Sequence, residues 1–230
     1  MALKDDLNSE VVAIFKTDWK KRTGQQVPEP EDIALGNDAV ELDATVLYAD
    51  LAESTELVND YKAPFAAEIY KTYLVCASRI IKAEGGTITA FDGDRVMGVF
   101  IGDTKNTSAV RAALKIDYAV TKIINPALKA QYPTSTYEVR QSVGVDTSTL
   151  FAARTGIRGS NDLVWVGRAA NYAAKLCSLR EGIYTSWITS SVYDVMHSEV
   201  KITNGTSMWE KRHWTARKID VYRSSWQMTP

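Results

Sequence analysis

Asp50 and Asp94 are the residues of this chain best placed to do chemistry. Leu42 to Ala49 is β-branched and apolar enough for a buried strand, which delivers Asp50 at its carboxyl end. Thr87 to Phe91 and Arg95 to Ile101 are two further strand-like runs, separated by Asp92-Gly93-Asp94, and Asp-Gly between apolar runs is a hairpin signal. If these strands are sheet neighbours, Asp50 and Asp94 lie side by side. That is the oxygen pair a hard divalent cation requires. Either aspartate alone is also an ordinary turn residue, and Asp92, across Gly93, reads as one. Directly after Asp50, Leu51-Ala52-Glu53-Ser54-Thr55 leads into a helical stretch whose free N–H groups can cradle phosphate oxygens, although a simple N-cap accounts equally for Ser54 or Thr55. Arg168, Asn171 and Lys175, spaced i, i+3, i+7, share one helix face. A solvated polar face is the alternative, but Ala169-Ala170 and Ala173-Ala174 beside them indicate close approach to another surface.

The elements that must position these residues follow from periodicity and punctuation. Asp6 to Thr23 reads as an amphipathic helix with Leu7, Val11, Ile14 and Phe15 in one stripe, and residues 24–40, polar and proline-containing, as a linker. Residues 1–39 are thus expected to form a helix and arm, and 40–230 the functional domain. Long helices are expected over Pro64–Ala83, stopped by Gly85-Gly86, and over Thr107–Ile124, closed by Asn125-Pro126. A third is expected over Arg168–Leu179 and a short one over Ser190–Met196. Strands are expected at Tyr137–Val145, Leu150–Ala153, Leu163–Val166, Ile183–Trp187, Trp209–Trp214 and Arg217–Tyr222. The order predicts an α+β fold with helices packed on a sheet.

Four segments, taken together, carry a family resemblance. Tyr48-Ala49-Asp50-Leu51-Ala52-Glu53-Ser54-Thr55, Phe91-Asp92-Gly93-Asp94-Arg95-Val96-Met97-Gly98-Val99-Phe100, Val143-Gly144-Val145 and Val166-Gly167-Arg168-Ala169-Ala170-Asn171-Tyr172-Ala173-Ala174-Lys175-Leu176 resemble, in order and spacing, the class III adenylate and guanylate cyclase homology domain over about residues 42–222. The resemblance implies a palm-like, ferredoxin-like antiparallel sheet and a head-to-tail homodimer with its active sites at the interface. It implies that Asp50, Asp94 and the Leu51 carbonyl hold two Mg²⁺ or Mn²⁺ ions, and that the other subunit supplies Asn171, which orients the ribose, and Lys175, which stabilises the transition state. A nucleoside triphosphate would lie against Tyr48, Ala52, Glu53, Ser54, Thr55, Ala90, Val164 and Arg168. The reaction implied is cyclisation to a 3′,5′-cyclic monophosphate with release of pyrophosphate.

The departures from that pattern concern the base. Adenylate cyclases of this kind carry lysine, and guanylate cyclases glutamate, where Ala90 stands; an aspartate or threonine commonly reads adenine where Val164 stands. Neither side chain here can pair with a purine's exocyclic groups, which would be left unsatisfied. Tyr48 is then the nearest polar aromatic residue for the base. The short format resembles the pyrimidine cyclases of bacterial anti-phage systems, which implies UTP, with CTP next, and a second-messenger role through a downstream effector the sequence does not name. An ATP cyclase using other contacts, and a catalytically silent nucleotide-binding module, are the alternatives. Lys175 replaces the arginine usual in the family, keeping the charge without the bidentate fork, and Glu53 replaces a common glycine.

Composition sets the outer bounds. The 230 residues, 45% apolar and 24% charged, suit one globular domain, and a net charge of −1 gives no footprint for nucleic acid or an anionic membrane. No apolar run is long enough to span a bilayer, and Asp5, Asp6, Glu10 and Lys16 break the amino-terminal stretch, so a cytoplasmic protein is expected. Cys76 and Cys177 lie in apolar helical patterns and are expected as reduced thiols. With two histidines besides, metal chemistry must rest on carboxylates. Lys211, Arg212 and Arg217 are candidate triphosphate cations, or equally a solvated strand edge.

Overall fold

The computed structural model describes residues 2–230. Its elements in chain order are α1 (Leu3–Lys16), β1 (Lys20–Thr23), β2 (Asp38–Leu51), α2 (Ser54–Asp60), α3 (Ala63–Ala83), β3 (Thr87–Asp92), β4 (Arg95–Phe100), α4 (Lys105–Ala119), α5 (Asn125–Gln131), β5 (Gln141–Ile157), β6 (Ser160–Val166), α6 (Arg168–Leu176), β7 (Ser186–Thr189), α7 (Ser190–Val195), β8 (Ile202–Thr203), β9 (Thr206–Ser207), β10 (Glu210–Trp214) and β11 (Ile219–Ser224). The main sheet runs β10-β11-β7-β5-β2-β4-β3, with β1 beside β2 and β6 beside β5. It is antiparallel except where β1 pairs with β2 and β5 with β7. No helix among the described residues is long and apolar enough to cross a membrane.

β2 is the axis of the fold because both its faces are covered. Leu47, Ala49 and Leu51 point into the main core with Ile69, Tyr73, Ile80 and Ile81 of α3 and Val110, Leu114 and Ile116 of α4. Val40, Leu42, Ala44 and Val46 point the other way, against Ala169, Ala170 and Ala173 of α6. This period-two division follows from the pleat. The inward positions of α3 recur at helical spacing, and the helix stops where Gly85 adopts φ +82° and the Gly86 N–H reaches back to the Ile81 carbonyl.

Several boundaries differ from the sequence expectation, each for a visible reason. The first helix ends at Lys16 rather than Thr23, since its apolar stripe runs out at Phe15; Lys20–Thr23 instead joins the sheet along Asp38–Glu41, with Arg22 ion-paired to Asp38 at 2.9 Å. Asn125-Pro126 does not close the second long helix. A wide turn over Val120–Ile124 absorbs the missing proline N–H, and α5 follows. The two strands expected on either side of residues 146–149 are one seventeen-residue strand, β5. The buried Asp146 carboxylate accepts from Thr189 Oγ1 at 2.5 Å and Arg168 Nε at 3.1 Å, and the Thr147 hydroxyl donates to the Ala44 carbonyl at 3.1 Å. Polar residues with distant partners continue the strand without cost. Cys76 is half-buried, Cys177 buried, and both are free thiols.

Candidate active site

Register places the sequence candidates in two rows across the sheet. Gly144 of β5, Tyr48 of β2, Met97 of β4 and Ala90 of β3 stand side by side. The next row toward the strand ends is Ser142, Asp50, Arg95 and Asp92. Tyr48, Met97 and Ala90 lie on the α6 face, and a register shift between Ile88 and Ala90 inserts Thr89 as an extra residue just before Ala90. α6 approaches so closely over the first row that a Cβ on Gly144 would stand 2.2 Å from the Ala173 carbonyl oxygen. That position admits only glycine.

Asp50 and Asp94 are neighbours, as the hairpin reading predicts. Burial, and after it the negative charge of Asp94, push the Asp50 carboxyl above its ordinary range, while Arg180 and Arg95 pull it down. The Asp94 Oδ2 atom is buried with no hydrogen-bond partner. An orphaned carboxylate oxygen beside a second, electrostatically crowded carboxylate is a donor set suited to a hard divalent ion. Leu51 buries its side chain in the main core at the last position of β2, opposite Gln141 of β5. Arg180 donates from Nη2 to Asp50 Oδ2 at 3.0 Å, and the Arg95 guanidinium lies 5.4 Å from the Tyr48 ring centroid while pairing with Asp92 at 2.6 Å. Asp92 is thus an ion-paired turn residue, as read. Burial also raises the Tyr48 phenol, keeping it a neutral donor, and pushes the Cys177 thiol up to about 12, so that sulfur is not a nucleophile. Because folding raises the Asp50 pKa, the native state is favoured while that carboxyl is protonated, and the advantage is lost as pH rises through the raised value. Asp50→Asn is therefore expected to raise the melting temperature of metal-free protein at neutral pH, with the difference vanishing below about pH 4, as differential scanning fluorimetry across pH would show.

The loop after Asp50 turns sharply at Glu53, whose φ of 59° and ψ of 36° are left-handed. Glycine suits that position, and glutamate there costs about 1 kcal/mol of backbone strain. The Glu53 carboxylate turns to Arg140, which pairs with it. Ser54 and Thr55 begin α2, and no side chain caps that helix.

α6 divides its residues between two surfaces. Ala169, Ala170, Ala173 and Leu176 pack inward, whereas Asn171 and Lys175 are exposed on the opposite face. Lys175 has no ion-pair partner among the described residues. The shared face expected for Arg168, Asn171 and Lys175 does not hold for the first: Arg168 reaches back to Asp146 at 3.1 Å, the Thr147 carbonyl at 2.6 Å and Ser191 Oγ at 3.2 Å. Its Nε and Nη2 donors are engaged by the fold, while the side chain stays 44% exposed. Val164 is 40% exposed on the outer side of β6, over a hollow shared with Ala13, Ile14, Trp19 and Leu35. The adjacent Leu163 and Trp165 face inward toward the cluster that holds Tyr48 and Ala90. Lys211 and Arg212 pair with Asp220 at 2.6 Å and Glu210 at 3.1 Å on the edge strand β10, four strands from Asp50. Sequence pattern alone does not single out Arg180 or Arg95. Arg95 adjoins the Asp-Gly-Asp turn, a position that could have drawn attention to it; Arg180 lies in an aperiodic loop with no local signal.

One chain therefore brings together Tyr48, Asp50, Asp94 and Ala90, and separately displays Asn171 and Lys175. No protein-family model matches the chain. A uridylate cyclase from Xanthomonas perforans is 53% identical over 229 residues, covering 99% of this chain and 98% of that protein. A uridylate cyclase from Burkholderia cepacia is 53% identical over 231 residues, covering 100% of each. Among solved structures, the adenylyl cyclase CyaB from P. aeruginosa superposes with a TM-score of 0.70 at 22% identity, over 81% of this chain and 95% of that one. The guanylyl cyclase Cya2 gives 0.68 at 17% identity, over 83% and 95%. Similarity along its whole length, together with this sheet and helix arrangement, shows that the chain belongs to the uridylate cyclase family, on the class III nucleotidyl cyclase fold.

Proposed function

We propose that the chain is a pyrimidine nucleotidyl cyclase, converting UTP, with CTP next in preference, to the 3′,5′-cyclic monophosphate and pyrophosphate at two sites of a head-to-tail homodimer. The observation that carries this reading is the division of the site residues: Asp50 and Asp94 lie beside Tyr48 and Ala90 at one place, while Asn171 and Lys175 face outward from α6. A second copy supplies the missing half to each site, so one chain suffices for two complete centres. Asp50, Asp94 and the Leu51 carbonyl would hold two Mg²⁺ or Mn²⁺ ions, which when bound supply acidification of the ribose 3′-hydroxyl and neutralisation of the triphosphate. The backbone of Ala52, Glu53, Ser54 and Thr55 lies against the phosphates. Asn171 of the partner subunit orients the ribose so that its 3′-oxygen meets the α-phosphorus in line. The new oxygen–phosphorus bond forms as the bond to the β-phosphate oxygen breaks; pyrophosphate leaves with the electron pair, and the hydroxyl proton passes to solvent. Lys175 of the partner subunit faces the developing negative charge, as a point charge rather than a fork.

The pyrimidine preference is supported by the row Tyr48–Met97–Ala90, which offers one phenol and otherwise apolar surface, and by the names of the full-length relatives. Tyr48→Phe removes one hydroxyl and is expected to lower kcat/KM for UTP from several-fold to about a hundredfold, the range for a lost hydrogen bond whose partner is rehydrated or stays buried. Parallel measurement with UTP, CTP, ATP and GTP at fixed Mn²⁺ checks this; wild-type preference for ATP over both pyrimidines would defeat the pyrimidine reading. We place the reaction in the cytoplasm, with the cyclic product as a second messenger in anti-phage defence. The two free thiols suit a reducing compartment.

A further inference from the structure

The Asp50 carboxylate is engaged by a cation that belongs to the chain. Arg180 Nη2 donates to Asp50 Oδ2 at 3.0 Å, and Arg180 Nη1 donates to the Cys177 carbonyl at the carboxyl end of α6. Both contacts draw the guanidinium to one spot: a carboxylate, and the negative end of a helix dipole. We propose that Arg180 is a built-in counter-cation that occupies Asp50 in the metal-free protein and must be displaced for that carboxylate to take up a metal ion. Arg180 thereby sets the metal concentration at which the site loads. This inference rests on the reading of Asp50 as a metal ligand.

The surroundings permit the exchange. The Arg180 side chain is 36% exposed and Asp50 only 19%, so the arginine sits at the outer side of the pair. The backbone beyond it is pinned, because Glu181 pairs with the buried Arg223, itself held by Glu210. Release is therefore a swing of the side chain rather than a movement of the loop. The space for that swing is a hollow of about 540 Å³ that Arg180 lines together with Ala52, Glu53, Arg140 and Gln141. Glu53 offers the displaced guanidinium a second carboxylate there, one already shared with Arg140. In the paired state Asp94 Oδ2 remains without a partner, so Arg180 satisfies only one of the two carboxylates. A divalent ion satisfies both and can win the competition.

Titration of nucleotide-free protein with Mn²⁺, followed by the loss of the free-ion electron paramagnetic resonance signal, tests the proposal. Arg180→Gln is expected to bind Mn²⁺ about two- to fivefold more tightly than wild type, the scale set by a partly exposed ion pair. Arg180→Met, of comparable reach and uncharged, gives the same readout should glutamine disturb the loop, and Arg180→Lys should stay near wild type. Combining Asp50→Asn with Arg180→Gln should erase the gain. Affinity in Arg180→Gln and Arg180→Met that equals or falls below that of wild type would overturn the inference. Asp50→Asn alone separates the two readings. If it leaves Mn²⁺ affinity unchanged, the metal assignment itself fails, whereas if it weakens binding and the arginine variants bring no gain, only the role of Arg180 fails.

Discussion

Asp50→Asn or Asp94→Asn is expected to lower turnover by about a thousandfold or more, because each removes an anionic oxygen from a metal site that supplies several kcal/mol of barrier reduction. The effect should be chemical rather than structural. Asp50 is next to last in β2 and Asp94 lies in the β3–β4 turn, both outside the two main apolar clusters, and asparagine preserves their shape. Circular dichroism and sedimentation should match wild type, and the metal-free Asp50→Asn protein should melt higher at neutral pH, since a crowded, desolvated charge is gone. Loss of activity with a gain in stability distinguishes a functional carboxylate from a packing residue. Retention of full activity in either variant would refute the two-metal assignment.

The second large effect is a recovery. Asp50→Asn subunits keep Asn171 and Lys175, and Lys175→Ala subunits keep Asp50 and Asp94, so each homodimer is inactive while a mixed dimer rebuilds one intact site from the two good halves. Random equimolar mixing makes half the dimers mixed, each with one working site of two, and activity should return to about a quarter of wild type. The exposed placement of Asn171 and Lys175 on α6, turned away from the sheet that carries Asp50, is the structural ground for this expectation. If mixed dimers form and remain inactive, the halves are not shared between subunits.

How far this was legible from sequence depended on whether the deciding interactions were local. The Asp50 strand and the Asp-Gly-Asp hairpin announce themselves through alternation and turn chemistry, and both carboxylates fall where those signals put them. The α6 helix is likewise legible, its small residues inward and Asn171 and Lys175 outward. Arg168 misled because helical spacing describes where a side chain starts, and a long arginine ends wherever a buried carboxylate waits; Asp146 lies on another element. The same Asp146 concealed the continuity of β5, since its partners Arg168 and Thr189 come later in the chain. Val164 illustrates the pleat: a family position transfers by sequence, but one strand step separates the outward Val164 from the inward Trp165. Arg180 reaches Asp50 across 130 residues, and no periodicity encodes that contact. The left-handed Glu53 lay between these cases: the glycine usual there hinted at its backbone, while its pairing with Arg140 needed the fold.

The most direct test of the central claim is the identity of the product. Purified chain is incubated with an equimolar mixture of UTP, CTP, ATP and GTP in Mn²⁺, and cyclic monophosphates and pyrophosphate are quantified by liquid chromatography with mass spectrometry. Cyclic UMP is expected as the dominant nucleotide product, formed one-to-one with pyrophosphate, its formation abolished by EDTA. Absence of any cyclic monophosphate from folded, dimeric protein supplied with metal and all four triphosphates would contradict it.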